Sequence, residues 1–346
     1  MIAEQGFVRY VQQKDALERL CQDLRGLETL CLLGSPRALA QIRPQLHVEG
    51  ASIHEIALTS PFTVWSQAQS IAKQAVSLGA QAILGAGGGS AMDTAKAVAA
   101  LSGRALYLIP TSAATCSAAT TLIALYDEQG RRTGKTTLPR PIDGVYVDEA
   151  LLAAAPQRLL CSGIAGSIAK LSEAASACLY PDNPPEMRWR SMMAQALHLM
   201  DVYFSQADAA LHGDEAAFSE MLYANLYLTA QITATGSTRR IGEVAHHFYN
   251  GVTCLFPAER QRFLHGEIVG VGVLLELSLT GAVAGYTGRS IETFLREVLH
   301  CPTTLPALGL PTDEVALARL SAYIADKSAL NPMTVVTSLR ALCADA

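Results

Sequence analysis

Hydrophobic positions follow two different patterns along the chain, and the change falls near Asp148. Before it, short apolar runs alternate with amphipathic stretches. TLCLLG (29–34) and QAILGAG (81–87) are apolar at consecutive positions and end in glycine, which predicts strands buried on both faces. SIHEIAL, ALYLIP and GVYVD predict three more strands. Between them, SPRALAQIRPQL reads as a helix, with Ser35 as its N-cap and Pro36 at the first helical position. VWSQAQSIAKQAVSLG repeats apolar residues at Val64, Ala68, Ile71 and Val76 and stops at Gly79. SAMDTAKAVAALSG stops in the same way at Gly103. Strands alternating with helices predict a parallel sheet covered on both faces. After Asp148 the strand-like runs largely vanish. Long amphipathic stretches follow, over 157–179, 185–210, 215–232, 266–283 and 291–299, punctuated by proline and glycine. The expected organisation is an α/β domain over residues 1–150 and an all-α domain over 151–346.

Composition agrees with two folded domains. At 346 residues the chain is too long for one compact core. Half its residues are hydrophobic and 16% are charged, which supports a sizeable core and argues against disorder. A net charge of -5 leaves no polybasic footprint for nucleic acid or an anionic membrane. The first twenty residues hold no basic segment followed by an apolar one, so no secretion signal is expected, and no uncharged apolar run is long enough to span a bilayer. The eight cysteines are scattered without C-x-x-C spacing. That pattern fits reduced thiols in the cytoplasm, not a disulfide framework or a structural zinc site.

The chemistry starts at GAGGGSAMDTAKAV (85–98), where a glycine run follows a strand and opens a helix. Glycine lets a backbone turn tightly and come close to a phosphate, and the N–H groups and positive dipole end of the helix then favour an anion. The spacing is neither G-x-G-x-x-G with a distal acid nor a P-loop. A plain turn would look the same.

The surroundings are more specific. GGGSAMDTAK, LIPTSAATCSAATTLIALYDEQG, LPRPIDGVYVDEALLAAAP, SGIAGSIAKLSEA, HHFYNGVT, FLHGEIVGVGVL and CPTTLPALGL occur in this order over nearly the whole chain. Together they resemble the iron- or zinc-dependent alcohol dehydrogenase superfamily, in its glycerol dehydrogenase and hydroxycarboxylate dehydrogenase branch. The resemblance implies a Rossmann-like N-terminal domain and a helical C-terminal domain, the dehydroquinate synthase-like fold. It implies NAD or NADP as cofactor, a small alcohol or carbonyl substrate and a homo-oligomer. Gly87, Gly88, Gly89 and Ser90 would cradle the pyrophosphate, with Asp93 and Lys96 near the nicotinamide ribose. Without a ligand, Asp93 reads as a first-turn acid and Lys96 as a solvated helix residue. Thr111 and Ser112 match the stretch that reaches the adenine side, and Thr120, Leu122 and Tyr126 match positions lining the nicotinamide. At the end of the first strand stand Gly34 and Ser35 with Arg37 beyond, so no acid there excludes a 2′-phosphate.

The resemblance also implies one divalent zinc or iron ion held by an Asp and two His. His246 and His265 fall on the histidine positions. The carboxylate position, in Gly163-Ile164-Ala165-Gly166-Ser167-Ile168-Ala169-Lys170, is Gly166. Cys116 stands where glycerol dehydrogenases carry a substrate-binding Asp, Tyr249 where a second histidine is common, and DKSALNPMTVV is shorter than the usual last segment. Three readings stay open here. A reductase with a rearranged metal site would draw a carboxylate from Asp201 or Glu173. A metal-free reductase would polarise the carbonyl with Lys170, Tyr249 or a histidine. A non-catalytic dinucleotide-binding or structural protein would need neither. Dehydroquinate-synthase-like cyclisation needs the metal and a basic pocket, and no basic cluster is evident.

Overall fold

The structure is a computed structural model and describes residues 9–178, 187–236, 243–281, 285–328 and 330–343. The leading residues 1–8 and the expected helix limits at Leu179, Pro185 and Val283 lie outside the described residues. The chain divides into two compact units, Met1–Pro156 and Gln157–Ala346.

Among the described residues the first unit has eight strands: β1 (Tyr10–Gln13), β2 (Thr29–Gly34), β3 (Ser52–Ala57), β4 (Ala82–Gly87), β5 (Ala105–Pro110), β6 (Leu122–Tyr126), β7 (Arg132–Thr137) and β8 (Gly144–Asp148). Six form one sheet in the order β1-β8-β5-β4-β2-β3, with every neighbouring pair parallel. β6 and β7 form a separate antiparallel hairpin. Five helices accompany them: α1 (Ala16–Asp23), α2 (Pro36–Ile42), α3 (Trp65–Ser77), α4 (Gly89–Ser102) and α5 (Glu149–Ala153). Ser35 caps α2 as expected, its hydroxyl accepting from the Ala38 N–H. β4 is buried at every position, as a central strand between helical layers must be.

The connections fix where a ligand can sit. From β2 the chain passes through α2 to β3 on one side, then through α3 to β4 on the other. The strand order therefore reverses between β2 and β4. Their carboxyl ends lie side by side, with Gly34 opposite Ala86. In open α/β sheets this switch point is where ligands bind.

The second unit contains α6 (Gln157–Cys178), α7 (Met187–Leu211) and α8 (Glu215–Leu222), the last continuing through a π turn at Tyr223–Leu228 into α9 (Thr229–Gly236). Then come α10 (Val244–Leu255), α11 (Pro257–Arg260), α12 (His265–Thr280), α13 (Gly288–Thr293), α14 (Glu314–Ser328) and α15 (Pro332–Ala341). Among the described residues this unit has no strand. α12 is buried at every position from Gly266 to Leu277, where its sequence is apolar on all sides except for Glu267 and Glu276. Glycine lets its neighbours reach its backbone. A Cβ on Gly266 would fall 1.7 Å from the Ser162 carbonyl oxygen of α6, and one on Gly272 would fall 2.6 Å from the Ala245 carbonyl oxygen of α10. No described helix is long and apolar enough to cross a membrane, and Cys21, Cys31, Cys116, Cys161, Cys254, Cys301 and Cys343 are free thiols.

Candidate active site

In the first unit the glycine run sits at the switch point. β4 ends at Gly87 with φ at +143°, a conformation side chains rarely adopt, and a Cβ there would lie 2.7 Å from that of Ala91. Gly88 is the N-cap of α4, and its open side meets nothing nearer than the Ser112 Cβ at 3.9 Å. The Thr111 N–H donates to the Gly87 carbonyl at 2.9 Å. The chain thus brings Gly87–Ser90 and Thr111–Ser112 together around the start of a 14-residue helix. The N–H groups of its first turn have no partner within the helix, and its dipole end is positive.

Lys96 is not a solvated helix residue: it is completely buried. Its ammonium donates to the carbonyls of Ser117 (3.0 Å), Thr120 (3.1 Å) and Leu122, and pairs with Asp93 at 2.7 Å. Asp93 in turn accepts the Ala124 N–H at 3.0 Å and the Ser117 hydroxyl. Together they staple residues 117–124 onto α4. This ties Thr120 and Leu122 to α4 through their main chain. Cys116 is buried in a short 3-10 turn, Cys116–Ala119. The Tyr126 ring lies beside Phe62, with centroids 6.0 Å apart.

In the second unit, α10 carries His246 in its first turn and α12 opens with His265. The two rings are 5.6 Å apart between centroids. Tyr249, one turn beyond His246 and buried, meets the His265 ring edge-on at 4.3 Å, and its hydroxyl accepts from Arg260 Nη2 at 3.1 Å. Two buried carboxylates take the N–H groups at the start of α10, which has no local side-chain cap. Glu276 of α12 accepts from the Ala245 N–H at 3.3 Å, and Glu173 of α6 from the His246 N–H at 2.9 Å. The second oxygen of Glu173 lies 2.7 Å from His246 Nδ1. Burial pushes the Glu173 carboxyl well above the usual carboxylate range, against the opposing pull of the His246 N–H. Lys170 stands one turn before Glu173 and is half-buried. Gly166 also faces this group: a Cβ on it would lie 3.7 Å from His265 Cδ2. Glu276 and Arg260 were not singled out in the sequence. The available signal was an acid inside the apolar run GVLLELSL, since a buried acid needs partners.

A family model described as iron-containing alcohol dehydrogenase matches residues 8–141. A glycerol dehydrogenase of Pseudomonas putida is 31% identical over 331 residues, which is 92% of this chain and 88% of that one. The chain belongs to the iron-containing alcohol dehydrogenase family. An uncharacterised oxidoreductase of Synechocystis sp. is 35% identical over 234 residues, 66% of this chain, and the chain spans 59% of that relative's length. Among solved structures, a probable glycerol dehydrogenase from Sinorhizobium meliloti 1021 superposes with a TM-score of 0.81 at 25% identity, over 96% of each chain. The parallel sheet followed by helices is therefore the fold of this family.

The metal that the family name implies does not fit the donors present. Two imidazoles converge, but the third position is Gly166, which has no side chain. Glu173 is spent on His246, and Glu276 on Ala245. Asp201 is exposed and accepts the Tyr286 hydroxyl, so it does not supply the carboxylate. Among the described residues no group of three or more His, Cys, Asp or Glu side chains is placed to hold an ion.

Proposed function

We propose that this chain is an NAD(P)-dependent oxidoreductase that passes a hydride between nicotinamide and a small hydroxy or carbonyl compound of the glycerol or hydroxy-acid class. The observation that carries this reading is the glycine run at the switch point, where β4 ends in Gly87 and α4 begins. Gly87, Gly88, Gly89 and Ser90 hold the pyrophosphate there, with Thr111 and Ser112 alongside. Asp93 and Lys96 serve the cofactor by fixing the backbone around Thr120 and Leu122, which line the nicotinamide together with Tyr126. Ser35 and Arg37 after β2 are exposed and bring no negative charge, which supports acceptance of NADP as well as NAD. In the helical unit His246, His265, Tyr249 and Lys170 supply hydrogen-bonding groups for the substrate, and Cys116 narrows the loop where relatives bind theirs. The name glycerol dehydrogenase, borne by the Pseudomonas putida relative, supports the substrate class. The reading extends to a cytoplasmic homo-oligomer, which the resemblance to the family implies.

The test is titration of the purified chain with NADH and NADPH, followed by nicotinamide fluorescence. Both bind in the submillimolar range; failure of both at millimolar concentration overturns the reading. Gly88→Asp folds, because the space above Gly88 is open, yet puts a carboxylate against the pyrophosphate. Its affinity for NADH falls at least about tenfold, or about 1.4 kcal/mol.

A further inference from the structure

Gly166 and Gly266 face each other across the contact between α6 and α12, and their reasons for being glycine differ. Gly266 is glycine because of packing: its Cβ would overlap the Ser162 carbonyl. Gly166 has no such reason. Its φ is not in the left-handed region, and a Cβ there meets only Gly266 Cα at 3.6 Å and His265 Cδ2 at 3.7 Å, ordinary contacts. Glycine in a helix interior is also unfavourable against alanine by about 1 kcal/mol. Neither backbone nor space explains the missing side chain, which is missing at a position that faces His265.

We propose that residue 166 decides whether this centre holds a metal, and that with glycine there the protein works without a resident divalent ion. The two histidines are neutral donors when they ligate. An ion held by them alone gains no compensating charge, and borderline and hard cations both favour a carboxylate in the set. The nearby acids are already committed. Glu173 binds the main chain and ring of His246 at once, so turning it toward an ion would uncap α10 and release the ring it orients. Asp201 is tied to Tyr286. A side chain at 166 can start beside His265 without displacing anything, because its Cβ would make only ordinary contacts there. This inference stands whichever substrate or direction of hydride transfer applies.

The experiment uses the full chain, stripped with chelator, incubated with excess Zn²⁺ and gel-filtered before elemental analysis. Co²⁺ serves as a second probe through its visible absorption. The natural chain retains a small fraction of one zinc per molecule and shows no intense cobalt band. Gly166→Asp retains close to one zinc, and its zinc affinity rises at least about tenfold. NADH titration of the same samples gives unchanged affinity, so a failure of the metal proposal is read separately from a failure of the dinucleotide reading. Stoichiometric zinc in the natural chain overturns the proposal. So does a folded Gly166→Asp protein that holds no more zinc than its parent. Should Gly166→Asp not fold, His265→Ala in the natural chain decides: retained zinc unchanged and low supports the proposal, and a high value that falls on removing the imidazole refutes it.

Discussion

Lys96 shows how far one residue's chemistry can depart from its local sequence. A lysine in the second turn of a helix ordinarily extends into water. Here the neighbouring chain folds over it, and its three protons meet carbonyls 21 to 26 residues further on. The burial is tolerable because Asp93 neutralises the charge and the carbonyls replace its hydration. Lys96→Met keeps most of the volume but leaves the buried Asp93 carboxylate without its counter-charge and several carbonyls without their donor. We expect a loss of about 3–5 kcal/mol in urea unfolding, and a weaker affinity for NADH because residues 117–124 lose their anchor. Adding Asp93→Asn to Lys96→Met should cost less than the sum of the two single changes, since the residues form one network. Additive losses would show that they act separately.

Helices and strands were legible in the sequence where burial was symmetrical or punctuation was strong. β2, β4, β5 and β8 read directly from their apolar runs, and α2 from Ser35-Pro36. The pattern assigns nothing to β1 (YVQQ), β7 (RTGKTT), α1, α10, α14 or α15. β1 is four residues long, and β7 is polar throughout and, among the described residues, pairs with its hairpin partner β6 alone. The convergence of α6, α10 and α12 was legible only in part. FLHGEIVGVGVL shows its glycines, but not that two of them touch different helices. That difference gives a paired test. Gly266→Ala drives a Cβ into the backbone of α6, which cannot move without parting the helices. It should lower stability by about 3 kcal/mol or more. Gly166→Ala, one helix away and in open contact distance, should be neutral or stabilising by up to about 1 kcal/mol. Urea midpoints of the two variants check this, and equal losses would refute the packing argument.

The candidate residues fall into two groups, one in each unit. In the first unit the signal is contiguous: strand, glycine run and helix occupy 82–102, so sequence alone placed it. In the helical unit His246 depends on Glu173, which lies 73 positions earlier, and no local spacing announces that pair. Long-range ties also govern how the first unit responds to acid. Asp23 at the end of α1 accepts the Tyr146 hydroxyl of β8 at 2.6 Å, 123 positions away, and pairs with Arg9 at 2.7 Å and Arg19 at 3.1 Å. It thereby joins the first helix and the start of the chain to the last strand of the sheet. Burial pushes its carboxyl upward, but the Tyr146 hydroxyl and the two guanidinium groups outweigh that and hold it below the usual range. A carboxyl with a depressed folded pKa adds stability above its unfolded pKa, near 3.9, and loses it as pH falls through the folded value. Asp23→Asn should therefore cost about 2 kcal/mol at pH 7, the scale of hydrogen bonds to a charged group. The difference from the natural chain should shrink steadily below about pH 4. Urea unfolding at a series of pH values measures it. A deficit that stays constant down to pH 3 would mean that Asp23 acts through shape and neutral hydrogen bonds, not through its charge.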